Sequence, residues 1–184
     1  TTGDYAFRLL DVAQAPSAAV ALDATVTGAL SPGLEADVYT LDVTGEPRVY
    51  VDFLSASNTN GSWYLYGPND QQLTGTTVGF DSEVGLPGDG RYVLVVYGNS
   101  AATTTEYSFR VATPETTTAG LTVGSVVSGA ISEAGEQDEY TFTGAIGQRL
   151  VYDALDDVFE DIRVRLLDPL GNQVTTFGFY ASYD

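Results

Sequence analysis

The feature that most constrains this chain is an internal similarity held in one register. Thr25-Val26-Thr27-Gly28-Ala29-Leu30-Ser31 reappears as Val126-Val127-Ser128-Gly129-Ala130-Ile131-Ser132. Glu35-Ala36-Asp37-Val38-Tyr39-Thr40-Leu41 reappears as Glu136-Gln137-Asp138-Glu139-Tyr140-Thr141-Phe142. Arg48-Val49-Tyr50-Val51-Asp52 matches Arg149-Leu150-Val151-Tyr152-Asp153, and Leu65-Tyr66-Gly67-Pro68 matches Leu166-Leu167-Asp168-Pro169. All four pairs share an offset of about 101 residues, kept without a gap over some 60 residues. Similarity at a fixed period is the mark of a repeat architecture.

A further match, at nearly the same offset, concerns the chain's start. Tyr5-Ala6-Phe7-Arg8-Leu9 resembles Tyr107-Ser108-Phe109-Arg110-Val111, which closes the first full repeat. Residues 1–14 are therefore expected to be the last strand of a preceding repeat plus a linker, and 15–112 a complete repeat. Residues 113–120, with Pro114, read as a linker, and 121–184 as an incomplete second repeat.

The elements are expected to be strands. No stretch of a dozen residues shows capped 3.6-residue periodicity, whereas short runs rich in Val, Tyr, Thr, Leu and Phe alternate with turn residues. Strands are predicted near 5–10, 24–30, 37–44, 48–54, 62–67, 72–80, 91–98 and 106–112, and again near 121–131, 138–143, 149–155, 162–167 and 173–180. Arg91–Tyr97 is apolar on both faces and is placed centrally in a sheet. The expected core residues are Tyr39, Leu41, Leu65, Tyr92, Leu94 and Phe109 in the first repeat, and Tyr140, Phe142 and Leu166 in the second.

Composition narrows the chemistry. The 184 residues include no histidine, no cysteine and no lysine, and the formal charge is −18. Disulfides and thiolate metal sites are thus impossible, and the commonest general base is missing. So acidic a surface repels nucleic acid and anionic membranes. No apolar run is long enough to span a bilayer as a helix. Neither a Gly-x-Ser-x-Gly elbow nor a phosphate-binding loop is present. The high acidity suits either calcium binding or high-salt adaptation.

The motif Gly28-x-Leu30, Asp37-Val38-Tyr39-Thr40-Leu41, Arg48-Val49-Tyr50-Val51, Leu65-Tyr66-x-Pro68 and Gly90-x-Tyr92-x-Leu94-x-Val96 resembles the bacterial pre-peptidase C-terminal domain family. The resemblance implies an all-β fold of tandem, jelly-roll-like β-sandwich repeats of about 100 residues. It also implies a secreted accessory or surface-array role without catalysis.

Four groups are candidate sites. Glu35 with Asp37, and Glu136 with Asp138, share a strand face and suit calcium, or equally a solubilising strand entrance. Asp153, Asp156, Asp157, Glu160 and Asp161 crowd one loop and suit calcium or a solvated acidic loop. Trp63, Tyr64 and Tyr66 suit sugar stacking or core packing. Tyr5, Phe7 and Leu9 are candidates for assembly by strand addition. The expected function is a structural repeat of an extracellular or cell-surface protein, its partners neighbouring copies of itself. The alternatives are a calcium-dependent carbohydrate-binding module and an accessory domain of a secreted peptidase.

Overall fold

A computed structural model describes residues 7, 9, 17–155 and 162–177. The chain divides into two compact units, Thr1–Thr116 with Ser132–Gln137, and Thr117–Ile131 with Asp138–Asp184.

The first unit is a β-sandwich. Its strands are β1 (Ala18–Ala19), β2 (Val26–Leu30), β3 (Ala36–Val43), β4 (Arg48–Ala56), β5 (Gly61–Tyr66), β6 (Gln72–Thr77), β7 (Ser82–Gly85), β8 (Gly90–Gly98) and β9 (Thr105–Ala112). One sheet has the order β1-β3-β8-β5-β6 and the other β2-β9-β4-β7. β8 lies between β3 and β5, the central place its two apolar faces predict. Every other residue of β8 points inward, so Tyr92, Leu94 and Val96 are fully buried. Trp63 and Leu65 of β5 join them, and Val49, Val51, Phe109 and Val111 meet them from the opposite sheet. The aromatic rings cross between the sheets: Phe53 stacks on Trp63 at 5.8 Å, and Tyr39 meets Phe109 edge-on at 5.1 Å. Each such buried side chain contributes about 1.5–3 kcal/mol relative to exposure. All six core residues expected here are buried.

Two ribbons make up the remaining strands. β10 (Thr116–Gly120) pairs with β11 (Gln137–Thr141), and β12 (Val164–Leu167) pairs antiparallel with β13 (Gln173–Phe177). β10 lies within 113–120, the stretch read as a linker. In sequence it corresponds to β1, which adds to β3 as β10 adds to β11. The bond just beyond each short strand is also shared: Val20 N–H donates to the Thr40 carbonyl at 2.8 Å, and Leu121 N–H to the Thr141 carbonyl at 2.7 Å. The β5–β6 hairpin carries a bulge between Leu65 and Tyr66, and β12–β13 carries one between Leu166 and Leu167.

Other expectations for the second half are overturned. Residues 121–131 form no strand, and 149–155 contain only an isolated bridge at Tyr152. Among the described residues of the second unit no side chain is buried. Tyr140 is exposed, and Phe142 and Leu166 are half-buried. The strand expected at 5–10 lies outside the described residues except for Phe7 and Leu9, which belong to no strand.

Candidate functional site

The most organised polar feature of the first unit lies where β2, β3 and β9 converge. Gly28 of β2 is paired with Tyr107 of β9. A Cβ on Gly28 would lie 2.5 Å from the Tyr107 phenol and 2.7 Å from the Tyr39 hydroxyl, so the close approach requires glycine. The Tyr107 hydroxyl donates to Asp37 Oδ2 at 2.6 Å and lies 2.8 Å from the Tyr39 hydroxyl. Asp37 and Tyr39 belong to one sheet and Tyr107 to the other, so this hydrogen-bond cluster ties the layers together. Burial pushes the Asp37 carboxyl up, against the lowering effect of the Tyr107 hydrogen bond. Burial also raises the Tyr107 phenol, reinforced by its bonds to Asp37 and Tyr39. The Tyr39 phenol is raised by burial as well. The two phenols are thus held in their protonated form, and the cluster is a latch of hydrogen bonds between the sheets.

Part of this arrangement recurs in the second unit. A Cβ on Gly129 would lie 3.0 Å from Asp138 Oδ2 and 3.1 Å from the Tyr140 hydroxyl. The other oxygen of Asp138 accepts a short hydrogen bond from the Thr117 hydroxyl. Gly129 thus lies beside the Tyr140 hydroxyl as Gly28 lies beside that of Tyr39, with Asp138 rather than a second tyrosine as its other neighbour. Among the described residues, no second tyrosine enters the cluster.

The carboxylates singled out for calcium have other partners. Glu35 Oε2 accepts the Ser31 N–H at 3.2 Å. Glu136 Oε2 accepts the Ser132 N–H at 2.6 Å, the Ser132 hydroxyl at 2.7 Å and the Glu133 N–H at 3.2 Å. These bonds hold the Glu136 carboxyl below its usual range. Each glutamate closes the turn before its strand, at matching positions. Among the described residues no three carboxylates converge as a cation site requires. Asp153 lies within the described residues, whereas Asp156, Asp157, Glu160 and Asp161 lie outside them, as does Tyr5.

The aromatic group divides by face. Trp63 is fully buried and its indole N–H donates to the Phe80 carbonyl at 3.1 Å, so it is a core residue. Tyr64 and Tyr66 occupy the opposite face of β5, where Tyr64 stacks on Tyr97 of β8 at 5.6 Å with rings 7° from parallel. Tyr97 was not singled out from sequence, although two-residue alternation from the core residue Leu94 places it on that outer face.

Arg48 was read only as part of the repeat, and its role emerges from the fold. Its guanidinium donates to the carbonyls of Gly135 (2.6 Å), Pro114 (3.2 Å) and Glu115 (3.0 Å), and to the Thr116 hydroxyl (2.8 Å). One planar fork therefore holds two loop segments of the first unit.

No protein-family model matches the chain, and no curated protein matches it. Solved structures do resemble it over about half its length. The pre-peptidase C-terminal domain of a collagenase from Bacillus anthracis is 22% identical, with 52% of this chain and 93% of that one covered and a TM-score of 0.45. The PliG periplasmic inhibitor of g-type lysozyme from Aeromonas hydrophila is 19% identical, covering 51% and 94%, with a TM-score of 0.43. The PliG inhibitor from Salmonella Typhimurium is 20% identical, covering 52% and 98%, with a TM-score of 0.37. The all-β class rests on the chain's own strands and core. Among the described residues, no helix is long and apolar enough to cross a membrane.

Proposed function

We propose that this chain is a non-enzymatic structural part of an extracellular or cell-surface protein, built from tandem β-sandwich modules that join head to tail. The observation that carries the reading is the recurrence of one scaffold at one spacing. The glycine–tyrosine approach, the glutamate-closed turn and the short strand added beside β3 recur around β11, and the hairpin bulge of β5–β6 recurs in β12–β13. What recurs is architecture, as in arrays whose stability comes from each repeat and its neighbours. The ordered polar groups of the first unit brace sheets and turns, and the sequence lacks the histidine and cysteine that most often supply base and nucleophile.

Electron microscopy of the native protein, with and without a chelator, tests this. Regular fibres with one or two beads per axial repeat are the expected result, and their loss on chelation would assign calcium to the joint. Dispersed particles in both conditions would overturn the structural reading.

A second reading, polysaccharide binding, is favoured by the aromatic face formed by Tyr64, Tyr66 and Tyr97. Tyrosine rings on a sheet surface offer apolar area with a polar tip to a sugar. Glycan-array binding that disappears in Tyr64→Ala would support it, and binding that survives this change would reject the face.

A further inference from the structure

We propose that Asn60 is the attachment site of an N-linked glycan whose first sugars cover the face formed by Tyr64, Tyr66 and Tyr97. This rests on the extracellular or cell-surface reading above, because the Asn-x-Ser/Thr acceptor is used on exported proteins. Five asparagines occur in the chain, and only Asn60 begins such a sequence, Asn60-Gly61-Ser62. The second repeat has Asp161-Ile162-Arg163 at the corresponding positions, and Arg165 and Leu167 where the first has Tyr64 and Tyr66. Acceptor sequence and tyrosines are therefore present together in one repeat and absent together from the other.

The loop between β4 and β5 gives its two asparagines different work. Asn58 is held inside the loop. Its Nδ2 donates to the Ser57 hydroxyl at 3.2 Å and to the Thr104 carbonyl at 2.9 Å. Its Oδ1 accepts the Asn60 N–H at 2.9 Å and the Thr105 hydroxyl at 2.8 Å. Asn60 is exposed, and among the described residues its carboxamide meets no partner. Its backbone is fixed at both ends, the N–H by Asn58 and the carbonyl by the Asn99 N–H at 2.9 Å. One asparagine thus builds the loop, and the other presents a free amide from it.

The strand register sets the direction in which that amide leaves. Asn60 lies opposite Asn99, one place beyond the register pair Gly61 and Gly98. Gly61, Trp63 and Leu65 point inward, so alternation puts Asn60 on the outer face with Ser62, Tyr64 and Tyr66. Asn99 shares that face, its Nδ2 donating to the Ser62 hydroxyl oxygen at 3.0 Å. Ser62 is the register partner of Tyr97, which makes Tyr97 the diagonal neighbour of Asn60. Diagonal neighbours lie about 7–8 Å apart, so a sugar on Asn60 starts within reach of the Tyr97 ring. A Cβ on Gly75 would collide with the Tyr64 ring, so the tyrosine surface continues over β6. In a chain of formal charge −18, the outer positions of β5 and of Val93–Tyr97 carry no charge. Half-buried tyrosines give such a surface apolar rings with polar tips, which suits a sugar. The face would then hold the chain's own sugar in place of the free polysaccharide of the second reading above.

Attachment is a group transfer made by a glycosyltransferase of the cell. The donor is an oligosaccharide held on a carrier lipid as a glycosyl phosphate ester. Asn60 Nδ2 bonds to the anomeric carbon as the bond from that carbon to the phosphate oxygen breaks. The lipid phosphate leaves with the electron pair, and Nδ2 gives one of its two protons to a base of the transferase. Nothing is oxidised or reduced. The Ser62 hydroxyl, two residues on and on the same face, is the group that completes the acceptor sequence.

Peptide mapping of the native protein, fractionated by location in the cell, tests this. The chain has no lysine, so trypsin cuts only after arginine and releases 49–91 with Asn58, Asn60 and Asn69 in one peptide. Its mass should exceed the bare value by whole sugar residues, and electron-transfer fragmentation should place them on Asn60. Made in the same host, Asn60→Gln and Ser62→Ala should lose the added mass with the circular dichroism of the fold intact, while Ser62→Thr should keep it. Nitration of Tyr97, read in the 92–110 peptide, should rise several-fold in Asn60→Gln because the cover is gone. A bare 49–91 peptide in protein recovered from outside the cell overturns the proposal and keeps the extracellular reading. A sugar that survives Ser62→Ala, or that sits on Thr59, overturns it as well. Equal nitration in the glycosylated and Asn60→Gln proteins overturns the cover over the tyrosines. Glycosylated protein found only inside the cell would support the site and sink the extracellular reading, and bare protein found only there would sink both.

Discussion

The Tyr107 hydroxyl donates to Asp37 Oδ2 at 2.6 Å, and this bond crosses from one sheet of the sandwich to the other. Tyr107 also lies 2.8 Å from the Tyr39 hydroxyl, so removing one oxygen releases two partners. Tyr107→Phe leaves a half-buried carboxyl without its donor and should destabilise the first unit by about 1–3 kcal/mol. Tyr39→Phe leaves the Tyr107–Asp37 bond in place and should cost less, about 1 kcal/mol. Thermal unfolding followed by near-ultraviolet circular dichroism orders the two variants. Equal losses would show that Tyr107 is not the centre of the cluster.

The same carboxyl predicts a pH dependence. Burial raises Asp37 above its ordinary value of 3.8, so the fold favours its protonated form. The stabilisation linked to that proton is complete below about pH 3.8 and is lost as pH rises through the raised value. Asp81 is also raised by burial and works in the same direction. Asp37→Asn keeps an acceptor for Tyr107 and has no charge to bury. Urea midpoints measured between about pH 3.5 and pH 7 should therefore show the Asn variant gaining on the parent protein as pH rises. Parallel profiles would mean that Asp37 ionises without cost.

Two arginine–aspartate pairs lie in the sandwich, and burial separates them. Arg110 and Asp52 are 27% and 11% exposed and meet at 2.7 Å, whereas Arg91 and Asp42 are 67% and 73% exposed. Arg110→Ala leaves Asp52 without its cation in a largely dry place and should cost about 1–3 kcal/mol. Replacing both partners by Met and Leu should recover most of that loss. Breaking the Arg91–Asp42 pair should leave the unfolding temperature unchanged, because water and salt already screen it. Denaturation at low and high salt checks both statements, and an Arg110→Ala loss that vanishes in high salt would contradict the first.

Much of the sandwich was legible because its information is local and periodic. Tyr92, Leu94 and Val96 alternate with Val93, Val95 and Tyr97, which announces a central strand covered on one face and partly on the other. The same alternation resolves the Trp63-Tyr64-Leu65-Tyr66 run, sending Trp63 and Leu65 inward and both tyrosines outward. β10 was not legible: Thr-Thr-Thr-Ala-Gly has no apolar side to bury and forms by pairing with β11. The pattern at 121–131 is as strand-like as that of β2, yet no strand forms there. Periodicity records which face a strand would bury, while formation needs a partner to bond with. The Arg48 fork was hidden for a related reason, since three of its acceptors are backbone carbonyls, which carry no signature in a sequence.

The paired glutamates allow the calcium expectation to be set against the turn they close. Glu136 Oε2 gathers the Ser132 N–H, the Ser132 hydroxyl and the Glu133 N–H, and Glu35 Oε2 takes the Ser31 N–H. An oxygen that accepts three hydrogen bonds has little left for a cation, so the turn needs the charge on its own account. Glu136 is held below its ordinary value of 4.5, so its contribution is complete above about pH 4.5 and fades as pH falls through the lowered value. Glu136→Gln keeps an acceptor oxygen but loses the charge that strengthens these bonds. It should loosen the 132–136 turn to the same extent in chelator and in millimolar calcium, read as faster amide exchange at Ser132 and Glu133. If calcium instead slowed exchange in the parent protein and not in the variant, the carboxylate would be a cation ligand and the turn a consequence of binding.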